Sequence, residues 1–162
     1  MGFAVSRPTV ADVHIDFGTS IEIDRPVQDV WALLTDYGRD PEWRSGVLSM
    51  TADPPGPAAA GTTTAEIMRF AGRTLRNAAE IVRVGPGHQL VWRTTSGIDA
   101  NGMRIVEPRG PQRCRVRLAT RVRPHGFDRL LAPLAHLLLQ RRITGDGRRL
   151  RSLAERAGAA GS

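Results

Sequence analysis

The sequence contains no lysine, so all 23 of its basic residues are arginines. Without lysine the chain cannot form a Schiff base with a carbonyl substrate or build a phosphate-binding loop of the G-x-x-x-x-G-K type. Cysteine is nearly absent, because Cys114 stands alone and cannot form an internal disulfide. The chain also lacks the cysteine and histidine clusters that ligate zinc or iron–sulfur centres. We therefore expect neither a metal nor a cofactor.

Long hydrophobic runs are also missing. The leucine-rich stretch at residues 130–139 is too short to span a bilayer. The first residues lack the basic start and the apolar run of a secretory signal. Together with the single cysteine, these absences predict a soluble protein of the reducing cytoplasm.

The remaining composition is that of a globular domain. The chain has 162 residues, 41% of them hydrophobic and 24% charged, which suits one core and one domain of ordinary size. The net charge of +7 also permits contact with nucleic acid or with an anionic membrane. Both a protein with an internal pocket and a basic surface-binding module are compatible with these numbers.

An alternating segment and two short helices are predicted at the start of the domain. Apolar and polar residues alternate from residue 12 to residue 24, which indicates a half-buried strand. Pro26 then opens a helix with an apolar stripe at helical spacing. Asp40 as an N-cap and Pro41 in the first turn predict a second short helix, which carries Trp43.

Short strands separated by turn-forming residues fill the middle of the chain. A strand at residues 47–50 is followed by a proline- and glycine-rich stretch at 53–61, which predicts a loop. Five further strands form a meander whose turns contain glycine or proline. They are predicted at residues 62–70, 74–84, 89–96, 100–106 and 113–122.

A long helix closes the domain and is predicted to begin near Asp128. Phe127 and five leucines at helical spacing form an apolar stripe that we expect to pack on another element: Phe127, Leu130, Leu131, Leu134, Leu137 and Leu138. Gly145 and Gly147 predict a weak point or kink in this helix. The domain is expected to span residues 10–156, between a flexible start at 1–9 and a flexible tail at 157–162.

The order of these elements and three local segments resemble the START-like SRPBCC superfamily, in particular its polyketide cyclase/dehydrase-type members. The three segments are Ile21–Trp31, Asp40–Trp43 and Glu80–Arg93. The resemblance implies an α+β helix-grip fold, in which a curved antiparallel sheet of about seven strands wraps around the C-terminal helix and two short helices separate strands 1 and 2. It is specific for the fold rather than for an activity, because such folds host carriers, receptors and enzymes.

The resemblance also implies an apolar cavity between sheet and helix that binds a small hydrophobic molecule, either lipid-like or polyketide-like. The candidate contacts come from the mouth, the sheet and the helix: Trp43, Trp92, Met103, Leu118, Thr120, Leu131, Leu134 and Leu138. Arg141 continues the leucine stripe, which would place its guanidinium where it can hold a carboxylate or enolate oxygen.

A cofactor-independent enzyme acting on such a ligand, a cyclase, dehydratase or isomerase, is the alternative hypothesis. It requires an acid or base that faces the cavity. Glu66, Glu80 and Glu107 are the candidates, and the strand register decides which of them points inward. Cyclases of the family use tyrosine and arginine donors in the pocket, and Tyr37 is the only tyrosine of this chain.

Rows of arginine support a third hypothesis, a basic module that binds nucleic acid or a membrane surface. The last strand carries arginine at alternate positions, and the final helix is basic from Arg141 onward. Pairing of the last strand with the first would set its arginines against Asp16, Glu22 and Asp24, which explains them without a phosphate ligand. We therefore rank this hypothesis last; the oligomeric state, monomer or homodimer, is left open.

Overall fold

Seven strands and three α-helices make up most of residues 13–160, the part of the chain that the computed structural model describes. The strands are β1 (Ile15–Ile23), β2 (Val47–Asp53), β3 (Thr63–Phe70), β4 (Arg73–Gly85), β5 (Gln89–Ser96), β6 (Ala100–Gly110) and β7 (Arg113–Val122). The helices are α1 (Val27–Thr35), α2 (Asp40–Trp43) and α3 (Ala132–Ala159), with 3₁₀ turns at Tyr37–Arg39 and Gly126–Arg129. The predicted flexible start at residues 1–9 lies outside the described residues, as do positions 161–162 of the predicted tail.

The strands form one antiparallel sheet in the order β1-β7-β6-β5-β4-β3-β2. The sheet curls around α3, which lies along β1 and also reaches the backbone carbonyls of Ser45 and Arg69 next to the opposite edge. The predicted helix-grip fold is confirmed. Strand β6 is longer than predicted, because it runs through Pro108 to Gly110 with a register shift at that point, where a proline is tolerated.

Strand alternation decides which side chains line the inside of the curl. Every second residue of a strand faces inward. The register carries this pattern across the sheet, so that Met50 of β2 lies beside Glu66 of β3, and Glu66 lies beside Asn77 of β4. These three neighbours form part of one cavity wall.

The main hydrophobic core lies between β1, β7, α1 and the second half of α3. Its fully buried members include residues from all four elements: Ile23, Val30, Leu34, Val116 and Leu150. Burying a side chain of this size contributes roughly 1.5–3 kcal/mol relative to leaving it exposed. This core therefore holds one end of α3 firmly against the sheet.

Two residues of α3 allow it to lie close to the free edge of β1. A Cβ atom on Gly147 would sit 3.1 Å from Thr19 Cγ2, so glycine permits the contact. The Gln140 side chain donates to the Gly18 carbonyl at 2.7 Å and accepts from the Gly18 N–H at 3.2 Å. The glycines at 145 and 147, predicted as a weak point or kink, do not end the helix, because α3 continues through both.

The first turns of α3 also differ from the prediction. The α-helix begins at Ala132 after a 3₁₀ turn, with Leu131 rather than Asp128 at its N-cap. The five leucines do not pack on another element, because the buried residues Ile143 and Leu150 set the phase of the helix and the leucines fall on the opposite side. We call these residues the leucine face: Leu130 (78% exposed), Leu131 (60%), Leu134 (56%), Leu137 (46%) and Leu138 (41%).

The arginine row of β7 meets acidic residues on the outer face of the sheet, as predicted from the pairing of β7 with β1. The pairs are Arg113 with Asp24 (2.8 Å), Arg115 with Glu22 (2.8 Å), Arg121 with Asp16 (2.6 Å) and Arg117 with Glu107 (3.4 Å). These four arginines are therefore neutralised within the chain, which explains the row without a phosphate ligand.

Candidate functional site

A cavity of about 180 Å³ lies between the inner face of the sheet, α3 and the segment around α2. Apolar side chains from all seven strands and from α3 form most of its wall, among them Phe17, Met50, Met68, Trp92, Leu118 and Ile143. Gly102 makes room for the indole of Trp92, since a Cβ there would lie 2.6 Å from Trp92 Cζ2.

A buried ion pair between Asp40 and Arg104 closes one end of the cavity. Arg104 donates from Nη1 to Asp40 Oδ1 at 3.0 Å and from Nη2 to Oδ2 at 2.5 Å, a bidentate contact. Only 6% of the Arg104 side chain and none of the Asp40 side chain is exposed. Arg104 Nη1 also donates to the Leu34 carbonyl at 2.8 Å, which satisfies a free acceptor at the end of α1. The pair therefore ties β6 to α1 and α2.

The Arg104 guanidinium contacts the Asp40 carboxylate and two aromatic rings. It lies 4.1 Å from the ring centroid of Tyr37 and 5.2 Å from that of Trp43. Burial by itself lowers the pKa of Arg104, but the adjacent Asp40 carboxylate outweighs burial and raises it. Arg104 therefore stays protonated, and Asp40 balances its charge.

Arg44 links this pair to a carboxylate on the wall. Its Nη1 lies 3.0 Å from Asp40 Oδ2 and 2.8 Å from Glu66 Oε1. Asn77 Nδ2 donates to Glu66 Oε2 at 2.8 Å, whereas Oε1 is buried without hydrogen-bond geometry to any described group. Glu66 is therefore held by one directed hydrogen bond and one charge contact, which leaves one carboxylate oxygen free to accept another donor.

A second set of contacts attaches α3 to the segment after α2. Asp146 accepts a hydrogen bond from the Ser45 N–H at 2.9 Å and pairs with Arg149, which donates to the Trp43 carbonyl at 3.0 Å. Arg142 donates to the Ser45 carbonyl. Burial lowers the pKa of Arg142, although Asp146 raises it in part. These contacts fix Trp43 against the cavity.

Two buried donors at the polar end have no partner among the described residues. They are the hydroxyl of Tyr37 and the indole N–H of Trp43, on side chains that are 4% and 2% exposed. Burial raises the pKa of Tyr37, so its hydroxyl is protonated and available as a donor. An unpaired buried donor costs about 1–3 kcal/mol, and a ligand oxygen would remove this cost. We call Tyr37, Asp40, Arg44, Glu66 and Arg104 the buried polar cluster.

Five of the predicted contact residues border the cavity. They are Trp43, Trp92, Met103, Leu118 and Thr120. Met103 differs from the others because it alternates with Gly102 and Arg104 and so points away from their inward face. Its 41% exposure agrees with this orientation.

The helical part of the predicted set lies elsewhere. Leu131, Leu134 and Leu138 belong to the exposed leucine face, and Arg141 is exposed on the same side of α3. The expectation that they face the cavity is corrected by the phase of the helix. Leu139, Arg142 and Ile143 take those places on the wall.

The register also separates the three candidate carboxylates. Glu80 pairs with Arg93 at 2.6 Å and Glu107 with Arg109 at 3.2 Å, both away from the cavity, whereas Glu66 lines it. Sequence reasoning had no means of choosing among them, because one residue of register shift turns a side chain to the other face.

Sequence reasoning missed Arg104 and gave Asp40 a different role. Asp40 is the first residue of α2 and makes no side-chain cap, since its carboxylate points to Arg104 and Arg44. A signal for Arg104 was present, because it shares a strand face with Ala100, Gly102 and Val106. An arginine among small and apolar residues on one face is typical of a buried, paired charge.

Neither a metal site nor a membrane span emerges from the described residues. Between residues 13 and 160, no group of three or more histidine, cysteine, aspartate or glutamate side chains is arranged to hold a metal ion. Within the same part of the chain, no helix is long and apolar enough to cross a membrane.

Comparison with protein families matches residues 14–156 to a family described as polyketide cyclase/dehydrase and lipid transport. A search of curated protein sequences finds no match. Solved structures with the same fold are numerous, and three of them illustrate their range.

An aromatase/cyclase, Zhui, from a Streptomyces species is 13% identical, with a TM-score of 0.75 over 89% of this chain and 95% of its own. TTHA0849 from Thermus thermophilus is 18% identical, with a TM-score of 0.76 over 88% of this chain and 98% of its own. A START superfamily protein from Mycobacterium smegmatis is 12% identical, with a TM-score of 0.68 over 90% and 99% of the two chains. At these identities the likeness demonstrates the shared fold.

Proposed function

The chain belongs to the polyketide cyclase/dehydrase and lipid transport family, and from this premise we propose that it binds a small hydrophobic, lipid-like or polyketide-like molecule in its internal cavity. The observation that carries the proposal is the pair of buried donors without a partner among the described residues, Tyr37 OH and Trp43 Nε1, at the polar end of a mostly apolar wall. Apolar burial supplies the affinity, and the two donors select the orientation.

The size of the cavity limits the occupant. A dry cavity of about 150 Å³ holds benzene in another protein, so about 180 Å³ accommodates one or two fused rings. Ligand sites of about 300–1,000 Å³ are usual for larger molecules. A longer chain or a third ring requires the walls to move apart.

The chemistry of the polar end adds a requirement for oxygen. Tyr37 and Trp43 offer hydrogen atoms, while Arg104 adds positive charge behind the Tyr37 ring. A carbonyl or phenolate oxygen satisfies these donors, whereas a pure hydrocarbon leaves them unpaired. The proposed ligand is therefore a compact apolar molecule with an oxygen acceptor at one end.

Two probes that differ only in the carbonyl test this proposal. We expect 1-tetralone to bind about tenfold more tightly than tetralin, measured by quenching of tryptophan fluorescence and by thermal shift. Tyr37→Phe should reduce the difference between the probes without abolishing tetralin binding. Equal affinity for both probes, or no binding of either, contradicts the proposal. Native mass spectrometry of the freshly purified protein would identify a ligand that co-purifies.

An enzymatic role on such a ligand is a second candidate, and the inward position of Glu66 favours it. Among the described residues, Glu66 is one of two carboxylates on the cavity wall, and unlike Asp146, which accepts from the Ser45 N–H and pairs with Arg149, it has an oxygen available as a proton acceptor for a cyclase, dehydratase or isomerase. Arg44 and Asn77 hold it in place, and Tyr37 and Arg104 could stabilise an enolate oxygen nearby. The proton acceptor and the groups that would stabilise the enolate are therefore all side chains of this protein.

Exchange of the acidic α-hydrogens of 1-tetralone in heavy water tests the enzymatic candidate with the same probe. Glu66→Gln should lower the exchange rate by about a hundredfold or more while binding of 1-tetralone persists. Loss of binding and exchange together would assign Glu66 to the structure of the cavity. Binding without accelerated exchange in the unmodified protein supports a carrier and opposes the enzyme.

A further inference from the structure

The leucine face carries more exposed apolar surface than any other part of the described chain. Five of the eight large hydrophobic residues that are exposed between residues 13 and 160 belong to it. Leu134, Leu137 and Leu138 share one side of the first turns of α3, and Leu130 and Leu131 lie directly before its first residue. A contiguous apolar surface of this kind marks an interaction site more often than chance exposure.

Arginines frame this face. Arg129 precedes the leucines, and Arg141 and Arg148 continue their line along α3. All three are exposed, and none has an ion-pair partner among residues 13–160. They contrast with the arginines of β7, which are paired. The segment from residue 129 to residue 145 contains no aspartate or glutamate.

We propose that the leucine face and its flanking arginines dock the protein on an anionic lipid bilayer. The leucines would enter the boundary between headgroups and acyl chains, and the arginines would contact lipid phosphates. The helix would lie on the surface, because no described helix is long and apolar enough to cross a membrane. The proposal does not depend on what the cavity holds.

Charge favours a membrane over a second copy of the chain as the occupant. In a two-fold dimer through this face, Arg129 and Arg141 of both copies would come together, and residues 129–145 contain no acidic residue to neutralise them. The acidic residues that flank this segment are Asp128, next to Arg129, and Asp146, which already pairs with Arg149. Anionic headgroups provide the missing negative charge. The total charge of +7 acts in the same direction at longer range.

The position of the face relative to the cavity adds a consequence. Leu137 and Leu138 are exposed, and Leu139 lines the cavity wall on the other side of the same helical turn. Docking would therefore place the cavity within one helix diameter, about 10–12 Å, of the lipid surface. An apolar ligand that moves between the bilayer and the cavity would then cross only a short distance in water.

Vesicle flotation tests the docking. The unmodified protein should float with vesicles of phosphatidylcholine and phosphatidylglycerol in equal parts and not with phosphatidylcholine alone. Leu134→Ser combined with Leu138→Ser should weaken binding about tenfold or more. Arg141→Glu combined with Arg148→Glu should have a similar effect that high salt reproduces in the unmodified protein.

Matched substitutions on another surface serve as controls. Val82 is 47% exposed and Arg83 is exposed on β4, so Val82→Ser and Arg83→Glu change apolar area and charge away from α3. These variants should bind vesicles like the unmodified protein. Circular dichroism and melting should be unchanged in all variants, because the altered side chains are exposed.

Three outcomes would overturn the proposal. One is the absence of vesicle binding by the unmodified protein. Another is binding that the leucine and arginine variants retain. The third is concentration-dependent dimerisation in analytical ultracentrifugation that Leu134→Ser with Leu138→Ser abolishes, without vesicle binding, which would assign the face to a second copy. Binding of 1-tetralone by the non-docking variants would separate this result from the ligand proposal.

Discussion

The buried polar cluster and the leucine face invert the usual distribution of side chains in a folded protein. The cluster places two arginines and two carboxylates in or behind the wall of an apolar cavity, while the leucine face leaves five leucines in contact with water. Neither arrangement is what burial alone favours, because charges prefer water and leucines avoid it. The cluster departs from this rule beside the cavity, and the leucine face departs from it on the outside of α3.

The buried polar cluster and the leucine face are maintained by different interactions. The cluster persists because each charge has a partner at short distance and the surrounding core excludes water. The leucine face is compatible with a stable fold because the opposite side of α3 packs in the core through Ile143, Leu150 and Ala154. Folding therefore does not require burial of the leucines. Stability should therefore respond strongly to changes in the first region and weakly to changes in the second.

The largest effect is expected at Asp40. Asp40→Ala leaves Arg104 buried without its carboxylate, which should lower the free energy of unfolding by about 3–5 kcal/mol. Urea denaturation followed by fluorescence measures the change. Asp16→Ala is the matched control, because its pair with Arg121 is exposed and should contribute little. A similar loss in both variants would show that burial of the Asp40 pair has no special importance.

Leucine substitutions on the two sides of α3 compare the stability contributions of buried and exposed leucines in the same helix. Leu150 is fully buried, and Leu150→Ala should cost about 2–5 kcal/mol. Leu134 is 56% exposed, and Leu134→Ala should change stability by less than about 0.5 kcal/mol. The same urea measurement compares them. A large loss in Leu134→Ala would mean that the leucine face is covered in the isolated protein.

A smaller effect concerns the titration of Tyr37 inside the cluster. Because burial raises its pKa, the native protein should form tyrosinate at higher pH than the urea-unfolded chain, in which an exposed tyrosine titrates near pH 10. The contribution of Tyr37 to stability is therefore complete below about pH 10 and decreases as the pH rises further. The single tyrosine makes its near-ultraviolet absorbance an unambiguous signal. Coincident native and unfolded titrations would contradict the burial of the ring.

The smallest effect belongs to the exposed pairs of β1 and β7, which provide the baseline for both regions. Hydrogen bonds from Arg121 and Arg115 lower the pKa values of Asp16 and Glu22. Their stabilisation is present at neutral pH and decreases as the pH falls through these lowered values, below about pH 4. Urea midpoints at low and high salt should show a small acid-dependent loss that salt weakens. A salt-independent loss would point to buried carboxylates instead.

Much of the architecture could be predicted from local patterns. The alternation that ends at Ile23, the proline that opens α1 and the turns between the later strands placed every strand within a few residues of its position. The pairing of Arg113 with Asp24 could be anticipated once β7 was set beside β1. The family resemblance added a small part of the cavity wall, namely Trp43, Trp92, Leu118 and Thr120.

The sequence by itself determined the helix-grip order, the apolar faces of β1 and α1, and the absence of lysine chemistry, because these depend on composition and on neighbours along the chain. Only the tertiary structure shows that Glu66 faces the cavity, that Asp40 forms an ion pair with Arg104 and that the leucine face is exposed. Each of these depends on strand register or helix phase, and both are set by contacts between residues far apart in sequence.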